Sequence, residues 1–459
     1  MLAHTRREMM RVSLKSAATL ALTRIGLAHS FFDPTSLSSS GAIAPEQRAD
    51  AVGELLVYFE KIAPSLLRPA EGVLRYPSIA PSLPGKEYST SLWDWDTYWT
   101  ARGLFRVAAM TRNDALHAQV VEHVRGSLFN FLSSQSPEGR IPILLQVNNL
   151  DPFGCLRPGE GHTKNQAKPV MGQLALLVAD ESKDVSWLVP HFDSLKRFYD
   201  SWLRSNQARC GLLVWSDDVA IGNDNDPATF GRPPFSSANL LLNCLFHQDL
   251  KSSAELARRL QRNEDAKSLE ETARKLADCI RTLCWDPRDQ YFYSVDVQCI
   301  DRRAELISDV SPGMAMSWSV LPIRIKMFTG FLPLWCGVAD TQQAIAQVSR
   351  SYTGSDELRA AFGIRTLSNL ETMYSLAKSS NPSNWLGPVW IIANYFAWKG
   401  LKQYGFNREA EEIASKTLHI LSSDLKQSGS LNEYYHPDTG APLSHQGFVD
   451  WNLLALEMT

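Results

Sequence analysis

The chain has 459 residues, 44% of them apolar, and a formal net charge of −3 with both signs interspersed. This supports one large core or a close-knit pair of units, and it gives no electrostatic reason to expect a nucleic-acid or acidic-membrane partner. No stretch reaches the roughly 20 apolar residues of a membrane span. The seven cysteines, at 155, 210, 244, 279, 284, 299 and 336, form neither a disulfide framework nor a zinc-ligand pattern, so reduced, mostly buried thiols are expected.

At the amino terminus Thr5-Arg6-Arg7-Glu8-Met9-Met10-Arg11 resembles a twin-arginine export signal, followed by the moderately apolar Val12 to Ala28 and a small-residue site at Ala28-His29-Ser30. That reading places the protein in the periplasm or outside the cell. The alternative is a basic amphipathic leader on a cytoplasmic protein, and both stay open. Ser36 to Ala44 is rich in Ser, Gly and Ala and reads as a linker. Residues 1–44 are thus taken as leader and linker, and 45–459 as one folded domain.

Beyond Pro45 the periodicity is helical. Ala51 to Ile62, Leu116 to Leu132, Trp187 to Trp202, Ser252 to Cys284, Thr341 to Tyr352 and Arg408 to Leu425 place apolar residues at three/four spacing with charge opposite, as half-wet outer helices do. Between them, segments beginning near Asp96, Lys168, Ser236, Phe331, Pro388 and Asp450 each run from a polar or aromatic motif into a helix that is apolar nearly all round. Six inner and six outer helices predict an all-α closed double ring, an α/α toroid, whose inner helices gather their amino-terminal loops on one face. An open helical solenoid would show shorter, more regular repeats.

The motifs at those loops carry the chemistry. In Trp93-Asp94-Trp95-Asp96, Asp94 is expected to cap a helix or face water, while Asp96 beside Trp95 suits a carboxylate that takes hydroxyl hydrogen bonds as an indole supports a sugar ring. Gly139-Arg140-Ile141-Pro142 shapes a rim. Asn165-Gln166-Ala167-Lys168-Pro169 offers amides and an ammonium, and a buried Lys168 needs an anion, either a local carboxylate or part of the substrate. Trp215-Ser216-Asp217-Asp218 and Gly222-Asn223-Asp224-Asn225-Asp226-Pro227 hold four acids. Crowding them between Trp215 and Phe230 would keep one protonated as a general acid. A calcium-loop reading lacks the required Gly and Glu. Trp385-Leu386-Gly387-Pro388-Val389-Trp390 opens a helix with aromatic flanks. Asn432-Glu433-Tyr434-Tyr435 sets a second carboxyl between tyrosines that can hold it, in an extended piece closed by an Asp-Thr-Gly turn.

These motifs, in this order, resemble glycoside hydrolase family 63 and its trehalase-like relatives, and in particular the mannosylglycerate hydrolase-type branch, from about Pro45 to the end. The resemblance implies an (α/α)6 barrel and an inverting mechanism without metal or cofactor. It implies Asp224 as general acid and Glu433 as general base, with Trp95, Asp96, Gln166, Trp215, Trp385 and Trp390 shaping a sugar subsite and Tyr434 beside it. Where family members often carry Arg, this chain has Leu386, so Arg232 or Lys168 would meet a substrate carboxylate. The expected partner is a small carbohydrate such as mannosylglycerate or glucosylglycerate, with a trehalase-like α-glucosidase as the alternative. Self-association is left open. A sugar epimerase or lyase would lean on paired His or Tyr/His, and a binding scaffold would need neither carboxyl.

Overall fold

Helices organise the described residues, which are 45–156, 164–298, 318–377 and 383–459 of a computed structural model. The leader and linker at 1–44 and Cys299 lie outside them. Within the described residues eleven α-helices follow one another: α1 (Pro45–Leu66), α2 (Asp94–Thr111), α3 (Asp114–Ser133), α4 (Met171–Ser182), α5 (Phe192–Asn206), α6 (Leu240–Arg259), α7 (Asn263–Leu283), α8 (Leu332–Trp335), α9 (Thr341–Val348), α10 (Ile391–Gln403) and α11 (Asn407–Ser428). A 3-10 turn, Phe328–Phe331, leads into α8, and a 3-10 helix, Asp450–Glu457, closes the chain.

The apolar helices pack on one another in a ring. Helix α2 contacts α4, α4 contacts α6, α6 contacts α8, α8 contacts α10, α10 contacts the carboxy-terminal 3-10 helix, and that helix returns to α2. The last contact is close because Gly103 has no side chain: a Cβ there would lie 2.1 Å from Cβ of Leu453. Outside, α3 lies on α2 and α4, α7 on α6, α11 on α10, and α1 on α11. The burial patterns explain the two roles. Asp94 to Ala101 of α2 are all buried, whereas α7 buries only Ala266, Leu269, Ala273, Leu276, Ala277 and Ile280, a single stripe at helical spacing.

The predicted outer helix Ser252 to Cys284 is two helices. Residues up to Arg259 finish the inner α6, and the outer α7 begins at Asn263. Gln261 makes the reversal in the left-handed region at φ +60°, without Gly or Pro to announce it. The all-α expectation is also amended, because the loops feeding the inner helices carry short antiparallel strands. Ser91–Trp93 pairs with Leu144–Gln146 before α2, Ser237–Ala238 with Val295–Asp296 before α6, and Tyr434–Tyr435 with Pro442–Ser444 before the last helix. Their ladder bonds satisfy backbone groups that the helices leave over and fix the motif loops. Four cysteines, 155, 244, 284 and 336, are buried free thiols, and Cys210 and Cys279 are free and half-buried.

Candidate active site

One cavity of about 310 Å³ opens where the inner helices begin, a size suited to a small ligand. Its floor is aromatic. Phe328, Trp385, Trp390 and Tyr434 stack in sequence, with centroids 5.6, 3.8 and 4.8 Å apart and planes within 24°, while Trp95 and Trp451 lean against them. Buried rings in offset stacks hold one another rigidly, so the indoles facing the cavity form a fixed platform.

Asp94 and Asp96 leave the start of α2 in different directions. Asp94 is wholly buried, contrary to the expectation of a cap or a solvated group, because it is the counter-ion of Lys168. Its Oδ1 lies 3.0 Å from Lys168 Nζ, and its Oδ2 accepts the Lys168 backbone N–H at 2.6 Å. The lysine also donates to Ala220 O at 3.1 Å and sits 5.7 Å over the Trp95 ring. The local carboxylate is therefore the anion that Lys168 required. Asp96 lines the cavity and meets Asp450, the first residue of the closing 3-10 helix. Burial raises the Asp96 carboxyl to about 7, with the Asp94 charge adding to the rise. Asp450 is pushed well above the carboxylate range by burial and then by Asp96, while Thr100 donates 2.9 Å to its Oδ1. Two carboxyls in contact out of water cannot both ionise, so the pair holds a proton.

The four-acid loop separates into distinct parts. Asp226 is structural, its carboxylate accepting from Asn223, Asn239 and the Ala228 N–H, each at 2.7 Å. Asp217 accepts from Asn165 Nδ2 at 2.7 Å, and Asp218 from the Gly231 N–H at 2.8 Å. Asp224, half-buried, lines the cavity. Asn225 fastens this loop to the aromatic floor, accepting the Trp385 N–H at 2.7 Å and donating to Asn384 at 3.2 Å. Gly222 lies against Trp95 with φ +100°; a Cβ there would sit 3.1 Å from the ring.

Glu433 is 2% exposed and lines the same cavity. The tyrosines beside it do not hold it: Tyr435 donates to Asp424 at 2.9 Å, and Tyr434 stacks under Trp390. His445 holds it instead, its Nδ1 hydrogen-bonded to Glu433 Oε2. Burial pushes the Glu433 carboxyl up, the His445 bond and charge pull it down, and Asp224 and Glu87 push it up again. The hairpin makes the pairing, since Glu433 N–H donates to Ser444 O at 2.9 Å and delivers the next residue, His445 at φ +50°, to the carboxylate.

The structure thus brings Trp95, Asp96, Lys168, Asp224, Trp385, Trp390 and Glu433 to one cavity and sets four expected residues behind or beside it. Gln166 is buried and accepts from Ser201 at 2.9 Å. Trp215 packs edge-on to Trp202 in the core, so it does not wall the acid loop as expected. Tyr434 supports Trp390 from below, and Arg232 is paired with Asp296 and is not among the described residues that line the cavity. Sequence reasoning missed His445, Asp450, Tyr88 and Trp451. Arg140, expected at the rim, is buried and donates to Cys155 O at 2.9 Å and Lys164 O at 2.7 Å.

Carboxyls converging over stacked indoles, at the mouth of a ring of paired helices, define a class: enzymes that work on glycosidic bonds. The family model for the mannosylglycerate hydrolase MGH1-like glycoside hydrolase domain matches residues 90–449, and the chain belongs to that family. It is 26% identical over 207 residues to a mannosylglycerate hydrolase of Rubrobacter radiotolerans, a stretch covering 45% of this chain and 40% of that protein. A mannosylglycerate hydrolase of Thermus thermophilus is 27% identical over 159 residues, 34% of this chain and 35% of its own length. The matched stretches therefore span well under half of these relatives. Among solved structures, a GH63 mannosylglycerate hydrolase from Thermus thermophilus in complex with Tris and D-glycerate superposes with a TM-score of 0.63 at 18% identity, covering 88% of this chain and 99% of that one. Neutral trehalase Nth1 of Saccharomyces cerevisiae gives 0.56 at 16% identity, covering 84% and 74%. At these identities the likeness is one of fold.

Proposed function

We propose that this protein is an inverting α-glycosidase on an (α/α)6 toroid, hydrolysing a small α-glycoside of the kind to which mannosylglycerate and glucosylglycerate belong. The observation that supports it best is the unequal setting of two carboxyls in one cavity: Asp224 half-exposed, Glu433 buried and held by His445. A general acid that must be reprotonated after each turnover gains from contact with solvent. A general base that must activate one water, and no other, gains from enclosure.

The Asp224 carboxyl gives its proton to the glycosidic oxygen as the bond to the anomeric carbon breaks. Glu433 takes a proton from water, whose oxygen forms the new bond on the opposite face, so the sugar leaves with inverted configuration. Asp96, sharing its proton with Asp450, meets sugar hydroxyls, and Trp385 and Trp390 carry the ring's C–H face. Lys168 is a positioning residue here, bonded to Asp94 and to the Ala220 carbonyl beside the acid loop.

The test is incubation of the purified protein with mannosylglycerate, glucosylglycerate, trehalose and short α-glucosides, with Asp224→Asn and Glu433→Gln alongside. Each variant should lose about 100- to 10,000-fold in kcat, the range for a general acid or base, and proton NMR should show the β-anomer first. Retained configuration, or full activity in either folded variant, would overturn the reading.

A further inference from the structure

Asp424 is a buried carboxylate on an outer helix, outside the cavity lining and unused by the chemistry above. It lies in the last turn but one of α11 and is 2% exposed. Among the described residues its hydrogen bonds all come from neutral donors. Oδ1 accepts from Ser428 Oγ at 2.9 Å and from Asn432 Nδ2 at 3.2 Å, and Oδ2 accepts from Asn432 Nδ2 at 3.0 Å and Tyr435 Oη at 2.9 Å. A carboxylate out of water is costly unless its lone pairs are met. This one is met by side chains from both sides of Glu433.

Those two side chains are tied to the rest of the site. The Asn432 N–H donates to Tyr435 Oη at 3.1 Å, and the Asn432 carbonyl accepts from Asn452 Nδ2 at 2.9 Å. Asn452 belongs to the closing 3-10 helix that also carries Asp450. Tyr435 exchanges both backbone hydrogen bonds with Val389, each at 2.9 Å, and Val389 immediately precedes Trp390 of the aromatic floor. One carboxylate thus joins three pieces that the chain delivers separately: the Glu433 loop, the Trp390 floor and the helix bearing Asp450. The charge type matters. A carboxylate accepts on both oxygens, whereas an amide offers one acceptor oxygen and turns its N–H groups on the remaining donors.

We propose, resting on the glycosidase reading of this cleft, that Asp424 is a positioning residue for the general base: through Asn432 and Tyr435 it sets where the Glu433 carboxyl stands relative to the Trp390 floor. Its loss leaves every cavity-lining side chain present but lets the hairpin shift. A small displacement of a base costs the chemical step more than substrate binding.

The variants are Asp424→Asn, Tyr435→Phe, which removes the hydroxyl between Asp424 and the Asn432 N–H, and Leu418→Ala as control. Leu418 is buried on the same helix and makes none of these hydrogen bonds, so its truncation lowers Tm through packing alone. With the accepted α-glycoside, below each variant's unfolding temperature, Asp424→Asn should lose about 10- to 100-fold in kcat with KM within about twofold. Tyr435→Phe should lose less, and Leu418→Ala should keep its kcat. A second measurement needs no turnover. The imidazole nitrogen NMR signals of His445, assigned by their absence in H445Q, should move in Asp424→Asn, because His445 is bonded to Glu433, and stay in place in Leu418→Ala. A folded Asp424→Asn with wild-type kcat, or equal kcat losses in Asp424→Asn and Leu418→Ala, overturns the proposal while the glycosidase reading stands. A wild type that turns over no glycoside refutes that reading, and the positioning of Glu433 then stands or falls on whether the His445 signals move.

Discussion

Replacing His445 with glutamine keeps a hydrogen-bond donor near Glu433 and removes the charge. In the native protein three carboxylates act on Glu433 or beside it: Asp224 and Glu87 raise its pKa, and Asp450 lies close enough for the two to interact. Burial raises it further, and His445 supplies the main opposing pull. An opposite charge at hydrogen-bond distance moves a carboxyl by about one to three pH units, equivalent to ~1.4–4 kcal/mol in favour of the ionised form. Since Glu433, as the proposed general base, must be ionised to take a proton from water, the acidic limb of kcat/KM should move to higher pH in H445Q by about that amount, with KM little changed. The stability sign follows. A carboxyl raised in the folded state stabilises the fold while protonated and loses that contribution as pH rises through its folded pKa. H445Q raises it further, so its deficit in Tm should be largest at neutral pH and shrink on acidification. An H445Q protein with a lowered Tm at every pH and an unmoved acidic limb would reduce His445 to a packing residue and refute the reasoning.

The Asp96–Asp450 pair predicts a second pH effect. With Asp96 raised to about 7, native stability should fall as pH rises from the ordinary Asp range through 7. Asp450→Asn, whose Oδ1 can still accept from Thr100 while Nδ2 donates to Asp96, should flatten the profile of Tm against pH between 5 and 8.5; an unaltered slope would show that the pair does not share a proton. Asn225→Ala cuts the tie between the acid loop and the Trp385 loop and leaves the Trp385 N–H unmet, at a cost of about 1–3 kcal/mol, and it should lower kcat more than thermal stability alone explains. Trp390→Ala removes the centre of the stacked floor and should cost about 3–5 kcal/mol by denaturant titration; a loss below 1 kcal/mol would mean that the stack relaxes freely.

The inner helices could be read from sequence because a helix buried all round has no polar face to confuse the pattern, as in Leu240 to Leu245. The break between α6 and α7 could not, because apolar three/four spacing runs on from the end of α6 into α7 and Gln261 turns the chain without a breaker residue. Motif position also does not reveal side-chain direction. Trp215 and Asp224 lie on the same acidic run, yet the extended stretch at Trp215, bonded to Ser237 and Phe235, aims its indole at Trp202 and the core. Lys168 was legible as a cation in need of an anion, but Asp94, two residues before Asp96, reads as a helix cap because capping is the common fate of an aspartate at a helix start.

His445 was within reach of the sequence. Asp438-Thr439-Gly440 marks a turn from which pairing can be counted outward, and in the structure Tyr435 pairs with Pro442 and, across a bulge, Tyr434 with Ser444. The residues just beyond that last pair are Glu433 and His445. What the count lacks is the bulge, which slips the register by one residue and decides whether the histidine faces the carboxylate or the opposite side. Asp450 shows the same limit at longer range. Its place at the start of an inner helix was legible, but its contact with Asp96 depends on the ring closing so that the last helix meets the first inner one. The residues that tune the candidate carboxyls are therefore supplied by hairpin register and ring closure, whereas the carboxyls themselves announce their place locally, each in an aromatic loop ahead of an inner helix.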